Sequence, residues 1–134
     1  MKYVLLIIII AALLLALDLL WLGVVAKNFY KEKLGFIFNG EFNTIPAVVF
    51  YTIYIFGILY FCQFPAISAH SWKLALINGI FLGFLCYATY DLTNMATIQQ
   101  WPVSVVIVDI IWGTFLTASV SVLSYLIAIK WLHF

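Results

Sequence analysis

The chain predicts an all-α polytopic membrane protein, with four transmembrane helices packed as a compact antiparallel bundle. Three observations lead there. Of its 134 residues, 67% are hydrophobic and only 8% charged, with a mean hydropathy of +1.19; soluble domains carry about 25% charge. Four apolar stretches, at about 3–25, 46–64, 72–90 and 103–129, match the ~20 residues that span a hydrocarbon core. The breaks between them hold the lysines and prolines that close helices.

The first stretch opens like a signal peptide, with Lys2 ahead of an apolar core. It has no small-x-small cleavage site and runs on through Asp18 to Gly23, so it is expected to be retained as a span. Lys27, Lys31, Glu32 and Lys33 end it. Thr44-Ile45-Pro46 suits an N-cap with proline in the first turn of the second span. Phe64-Pro65 is expected to close that span, and Trp101-Pro102 to open the fourth. The 27–44 connection mixes lysines with Phe29, Tyr30, Phe36, Phe38 and Phe42, a composition that lies at the headgroup level. At this length one domain, 1–134, is expected.

Orientation is almost undetermined. Lys2, Lys73 and Lys130 fall on one side and Lys27, Lys31 and Lys33 on the other, so the lysine rule ties. The free N-terminal amine tips both termini toward the cytoplasm. Six lysines against five acids give a net charge of +1 with no arginine, which argues against nucleic acid and against bidentate phosphate capture. Cys62 and Cys86 read as buried thiols, since no disulfide framework or metal-binding pair surrounds them. His70 and His133 flank spans, so no bis-histidine haem or zinc centre is expected inside the membrane. No lysine lies within a span to form a Schiff base.

Against this background the acids stand out. An aspartate in hydrocarbon costs at least ~2.5 kcal/mol, so it needs a partner, a wet cavity or a role. Asp18 lies ~12 Å below the membrane surface at the end of span one, at 1.5 Å per residue. Asp109 lies ~10 Å below the same surface, because spans one and four are antiparallel. Asp91 emerges on that face too. Tyr87, Tyr90, Asp91 and Asn94 follow i, i+3, i+4, i+7 spacing and share one stripe. Gly79 and Gly83 extend that stripe as a GxxxG, a seam suited to close helix approach and to a homodimer. Asp109, Gly113, Thr117 and Ser121 form a second small, polar stripe, and Trp21 and Trp112 each sit three residues after an aspartate. These patterns predict a pocket near one membrane face lined by Asp18, Asp91, Asn94 and Asp109, with Tyr87, Tyr90, Trp21 and Trp112 as walls. Gln63 and Asn78 fall nearer the other face, outside it.

Tyr87 to Ile98, Trp101-Pro102 and Asp109-Ile110-Ile111-Trp112-Gly113, together with Leu17 to Gly23 and Phe29-Tyr30, resemble a bacterial membrane-protein family designated domain of unknown function 2177. The resemblance covers nearly the whole chain. It implies a small four-span protein of the bacterial cell membrane and carries no catalytic residues over, although its signature strings coincide with Asp18, Asp91 and Asp109.

Three functions fit. The first is binding or transport of a small cationic or amphipathic ligand or a proton. Two nearby carboxylates without a basic residue between them do not both ionise easily, and they share a proton. The second is a membrane enzyme acting on a lipid or isoprenoid, with Asp91, Asn94 and Asp109 as oxygen ligands or as acid and base. The third is a structural or accessory subunit, in which GxxxG and hydroxyl stripes only lock helices and Asp91-x-x-Asn94 shapes a turn. For Asp18 and Asp109 the functional and structural readings weigh equally. The non-enzymatic binding reading is the working one, and the bilayer is the expected partner.

Overall fold

The computed structural model describes residues 1–38 and 40–134 and is helical throughout its ordered elements. Five helices follow in order: α1 (Lys2–Val25), α2 (Lys27–Leu34), α3 (Thr44–Ser68), α4 (Trp72–Thr97) and α5 (Val103–Trp131). All but α2 are long and apolar enough to cross a membrane. They are apolar on nearly every side, as helices surrounded by lipid and by one another must be. Ile8, Ile53, Phe81 and Phe115, for example, face outward and are more than half exposed.

The ends of the helices are set locally. Asn43, rather than Thr44, caps α3, its Oδ1 accepting the Ile45 N–H at 3.2 Å. Thr44 is already helical, which puts Pro46 in the first turn, where its missing N–H costs nothing. Ser71 caps α4 through the Leu74 N–H. Helix α3 does not stop at Phe64-Pro65 as the sequence suggests. A π-helical turn at Leu59–Gln63 loosens the hydrogen-bond ladder before the proline. Pro65 cannot donate to the Phe61 carbonyl, but the Asn78 side-chain amide of α4 does so at 2.9 Å. The helix therefore runs on to Ser68.

Helix α4 also outlasts its expected end, continuing two turns past Tyr90 to Thr97. Thr89, Thr93 and Thr97 return their hydroxyls to carbonyls four residues back, so the polar segment satisfies itself within the helix. Asp91 thus lies well inside a helix and shapes no turn. Gln100 then adopts a left-handed conformation (φ 64°) as the chain reverses into α5.

The most extensive packing is between α4 and α5. A methyl at Gly83 would collide with the Gly113 carbonyl and the Thr114 backbone, and one at Gly79 would come within 2.9 Å of the Ala118 Cα. The Gly79/Gly83 seam expected to serve a homodimer is therefore filled by α5 of the same chain. Below the level of Asp18 the bundle closes on Leu6, Ile10, Leu14, Ile58, Leu116 and Val120, all essentially inaccessible. At the foot, the Lys2 ammonium donates to the His133 carbonyl at 2.8 Å and ties the two termini together on one face.

The upper half is built differently. Helix α3 meets α4 through Leu59–Ser68, while its Thr44–Ile58 portion leans on α1. Helix α2 turns back over the start of α5, packing Leu34 against Trp101, Val105 and Val106. The aromatic 27–44 connection is thus in part a packed cap on the bundle; residue 39 of it lies outside the described residues.

Candidate functional site

The divergence of α3 from α4 leaves a cavity of about 480 Å³ between all five helices. Asp18 and Leu22 come from α1, Tyr30 and Leu34 from α2, and Phe50 and Tyr51 from α3. Helix α4 contributes Cys86, Tyr87 and Tyr90, α5 contributes Val105, Asp109 and Trp112, and Phe38 and Trp101 complete the wall. Phe50 and Tyr90, on facing sides of the gap between α3 and α4, are each about half exposed. The cavity wall therefore reaches the surface at these two rings, as it does at Leu22 and Phe38 nearer the head.

Asp18 is 5% exposed, and both of its oxygens accept hydrogen bonds. The Trp112 indole N–H reaches Oδ1 at 3.2 Å, and the Tyr51 hydroxyl donates to Oδ2. Asp109 Oδ1 accepts from the Tyr30 hydroxyl at 2.6 Å, and that hydroxyl in turn accepts from the Trp21 indole at 3.1 Å. The Trp21 and Trp112 rings stack, centroids 4.4 Å apart and 7° from parallel. The two Asp-x-x-Trp strings are consequently used crosswise. The tryptophan that follows Asp109 serves Asp18, and the one that follows Asp18 serves Asp109 through Tyr30. A π-helical turn at Trp21–Val25 follows Asp18 directly, closed by the Ala26 N–H to the Trp21 carbonyl at 2.8 Å. It ends α1 at buried Ala26 and starts α2, which brings Tyr30 back toward Asp109.

Tyr30 lies outside the spanning helices, and its phenol is held well above the ordinary tyrosine range. Burial is the larger cause and the hydrogen bond to Asp109 the next. Both favour the neutral hydroxyl, so Tyr30 stays a donor.

Of the residues singled out from sequence, Asp18, Asp109, Tyr87, Tyr90 and Trp112 line this one cavity. Trp21 stands behind the wall, stacked on Trp112. Asp91 is fully buried and stands outside the cavity lining, one turn along α4 from the contact of Tyr87 with Gly113. Asn94 sits next to Tyr90 outside the lining. The arrangement expected of three acids around a shared hollow thus resolves into two acids at the hollow and one in reserve. The oxygen-ligand set of Asp91, Asn94 and Asp109 is not assembled on the cavity wall. Among the described residues, no three His, Cys, Asp or Glu side chains gather closely enough to hold a metal ion.

Sequence reasoning missed Tyr51 and Tyr30, the two hydroxyls that serve the carboxylates. Tyr51 had a faint signal, being a phenol inside a span with Tyr54 three residues on. Tyr30 had only its place in the Phe29-Tyr30 string of the family resemblance, because its position at the site depends on α2 folding back. Gly113 has a specific task as well. The Tyr87 ring lies against it so closely that any Cβ there would overlap the ring. Gln63 and Asn78 keep away from the cavity, as expected. Gln63 donates to the Ser121 carbonyl at 2.8 Å and to Ser124 Oγ at 2.9 Å.

No curated protein and no solved structure matches the chain. A family model described as "Predicted membrane protein (DUF2177)" matches residues 3–126. With four apolar helices of spanning length and a match over nearly its full extent, the chain belongs to that family of multi-pass membrane proteins, domain of unknown function 2177.

Proposed function

We propose that this protein binds a lipophilic organic cation in the cavity between α3 and α4. One observation carries the reading: the wall holds two carboxyl groups, Asp18 and Asp109, and no lysine or histidine, and the rest of it is largely aromatic. Carboxylates supply the charge, and ring faces attract a cation by a further ~0.5–2 kcal/mol when water is excluded. A delocalised cation fits this mixture better than a strongly hydrated one, because it loses less hydration on entering an apolar space. The half-exposed Phe50 and Tyr90 in its wall support entry from the lipid phase. The closed apolar packing beneath Asp18 supports binding over conduction.

Tetraphenylphosphonium binding to the full chain in lipid nanodiscs tests this. Saturable binding at one site per chain is expected, with affinity falling at least tenfold in Asp18→Asn and in Asp109→Asn. If the double variant folds like the parent and binds the cation equally well, the reading is wrong.

A further inference from the structure

Asp91 has no place in the cavity wall, yet it is the most completely buried acid in the described structure, at 0% exposure. Neither of its oxygens has a hydrogen-bond partner, and the buried indole N–H of neighbouring Trp101 lacks one too. Asp109 is its neighbour across the seam: Tyr87 lies against Gly113, and Asp91 and Asp109 stand one turn further along the antiparallel α4 and α5. Two carboxylates facing each other present only acceptors, a repulsive contact in a poorly polarisable interior. The contact becomes attractive when one of them carries a proton and donates it to the other. The ionisable groups around Asp91 are Asp109 of α5, Tyr30 of α2 and Tyr90 of α4, all acids. None offers a positive charge in place of that proton.

We infer that Asp91 and Asp109 hold one proton between them and release it when a cation occupies the cavity. This rests on the cation-binding reading and gives the site its coupling partner. In the empty site the Asp91 O–H donates to the Asp109 carboxylate, and the pair carries one negative charge. A cation against Asp109 supplies the positive charge that two carboxylates need to coexist. The O–H bond then breaks, the proton leaves by way of Asp109 to the aqueous phase on the head side of the bundle, and the electron pair stays on Asp91. The ionised Asp91 carboxylate has a donor waiting in the Trp101 indole. One cation is thereby exchanged for one proton.

The test counts protons released per tetraphenylphosphonium bound, using the full chain in nanodiscs and titration calorimetry in buffers of different ionisation enthalpy. About one proton per cation is expected, and affinity should rise by up to tenfold per pH unit wherever the pair still holds its proton, as that stoichiometry requires. Asp91→Asn places a permanent N–H donor where the proton was, with the same net charge on the pair. It should bind the cation with no proton release and a flat pH profile. Cation binding by the parent without proton release overturns the exchange while leaving cation binding intact; undiminished release in Asp91→Asn overturns the assignment to this pair. No binding by the parent overturns both readings. Infrared difference spectra of the parent supply a check without any variant. The C=O band of a protonated carboxyl should vanish on cation binding, and its persistence counts against the exchange.

Discussion

The two ends of the bundle handle buried polar groups in opposite ways. Toward the foot, Gln63, Ser121 and Ser124 are neutral, and the hydrogen bonds of Gln63 and Ser124 go to the backbone or to each other across α3 and α5. Such bonds hold helices in register and leave no space. Toward the head, the polar groups are acids, their donors come from α2, α3 and α5, and the rings that carry those donors enclose a cavity. Polar residues that only lock helices together are cheapest when neutral and satisfied nearby. The head fails the first condition, and Asp18 and Asp109 are satisfied only by donors converging from other helices. That difference, more than the mere presence of aspartates, separates a packing seam from a site.

If the foot is a packing device, crowding its seam should do the most damage. Gly83→Leu puts a side chain where α5 backbone already lies, and α4 and α5 hold the largest contact in the bundle. A loss of at least ~3 kcal/mol is expected, at the upper end of overpacking penalties. The measurement is the folded fraction by size-exclusion profile and denaturant unfolding. Parent-like stability would mean that α4 and α5 are not packed as described.

At the head, the expected losses are smaller and fall on the site. Tyr51→Phe removes the donor to Asp18 Oδ2 and leaves the ring. It should cost roughly 1.5 kcal/mol, as hydrogen bonds to charged groups do, and weaken cation binding about tenfold or less. Thermal unfolding and tetraphenylphosphonium titration would read the two effects separately. Tyr30 adds a pH dependence whose sign follows from its raised ionisation range. The folded chain holds this proton more tightly than the unfolded chain, so the stability gained is complete below pH ~10 and drains away as pH climbs above that. In an alkaline absorbance titration, Tyr30→Phe should lose a late-titrating phenol and leave the early ones unchanged.

How much of this was readable in the chain depended on which physics fixed each feature. Four spans follow from length and hydropathy, which act residue by residue. Asp18 and Asp109 reach similar depth because rise per residue is constant along antiparallel helices. The seam partner of Gly79 and Gly83 was not readable, since GxxxG says that a backbone approaches without saying whose. Pro65 misled because the donor replacing its N–H, Asn78, comes from the next helix. Tyr30 and the reserve position of Asp91 depend on α2 folding back and on α4 outrunning its apolar stretch. Those are tertiary outcomes with no local pattern to announce them.

The smallest expected effect is the most discriminating. Gln63→Leu removes the side chain that looks most essential to the foot, inaccessible and bonded twice to α5. Yet its own Oε1 has no partner, Ser124 Oγ still donates to the Val120 carbonyl at 2.6 Å, and the Ser121 carbonyl lies within a helix. Hydrogen bonds between membrane helices average only about 0.6 kcal/mol, and leucine relieves an unpaired buried oxygen while filling similar space. Stability should therefore shift by less than about 1 kcal/mol in either direction, and cation binding should not move. Replacing Asp18 by leucine, a change of the same kind at the head, should abolish binding whatever it does to stability. If Gln63→Leu also abolished binding in a folded protein, the two ends would form one polar system, and the distinction between seam and site would fall.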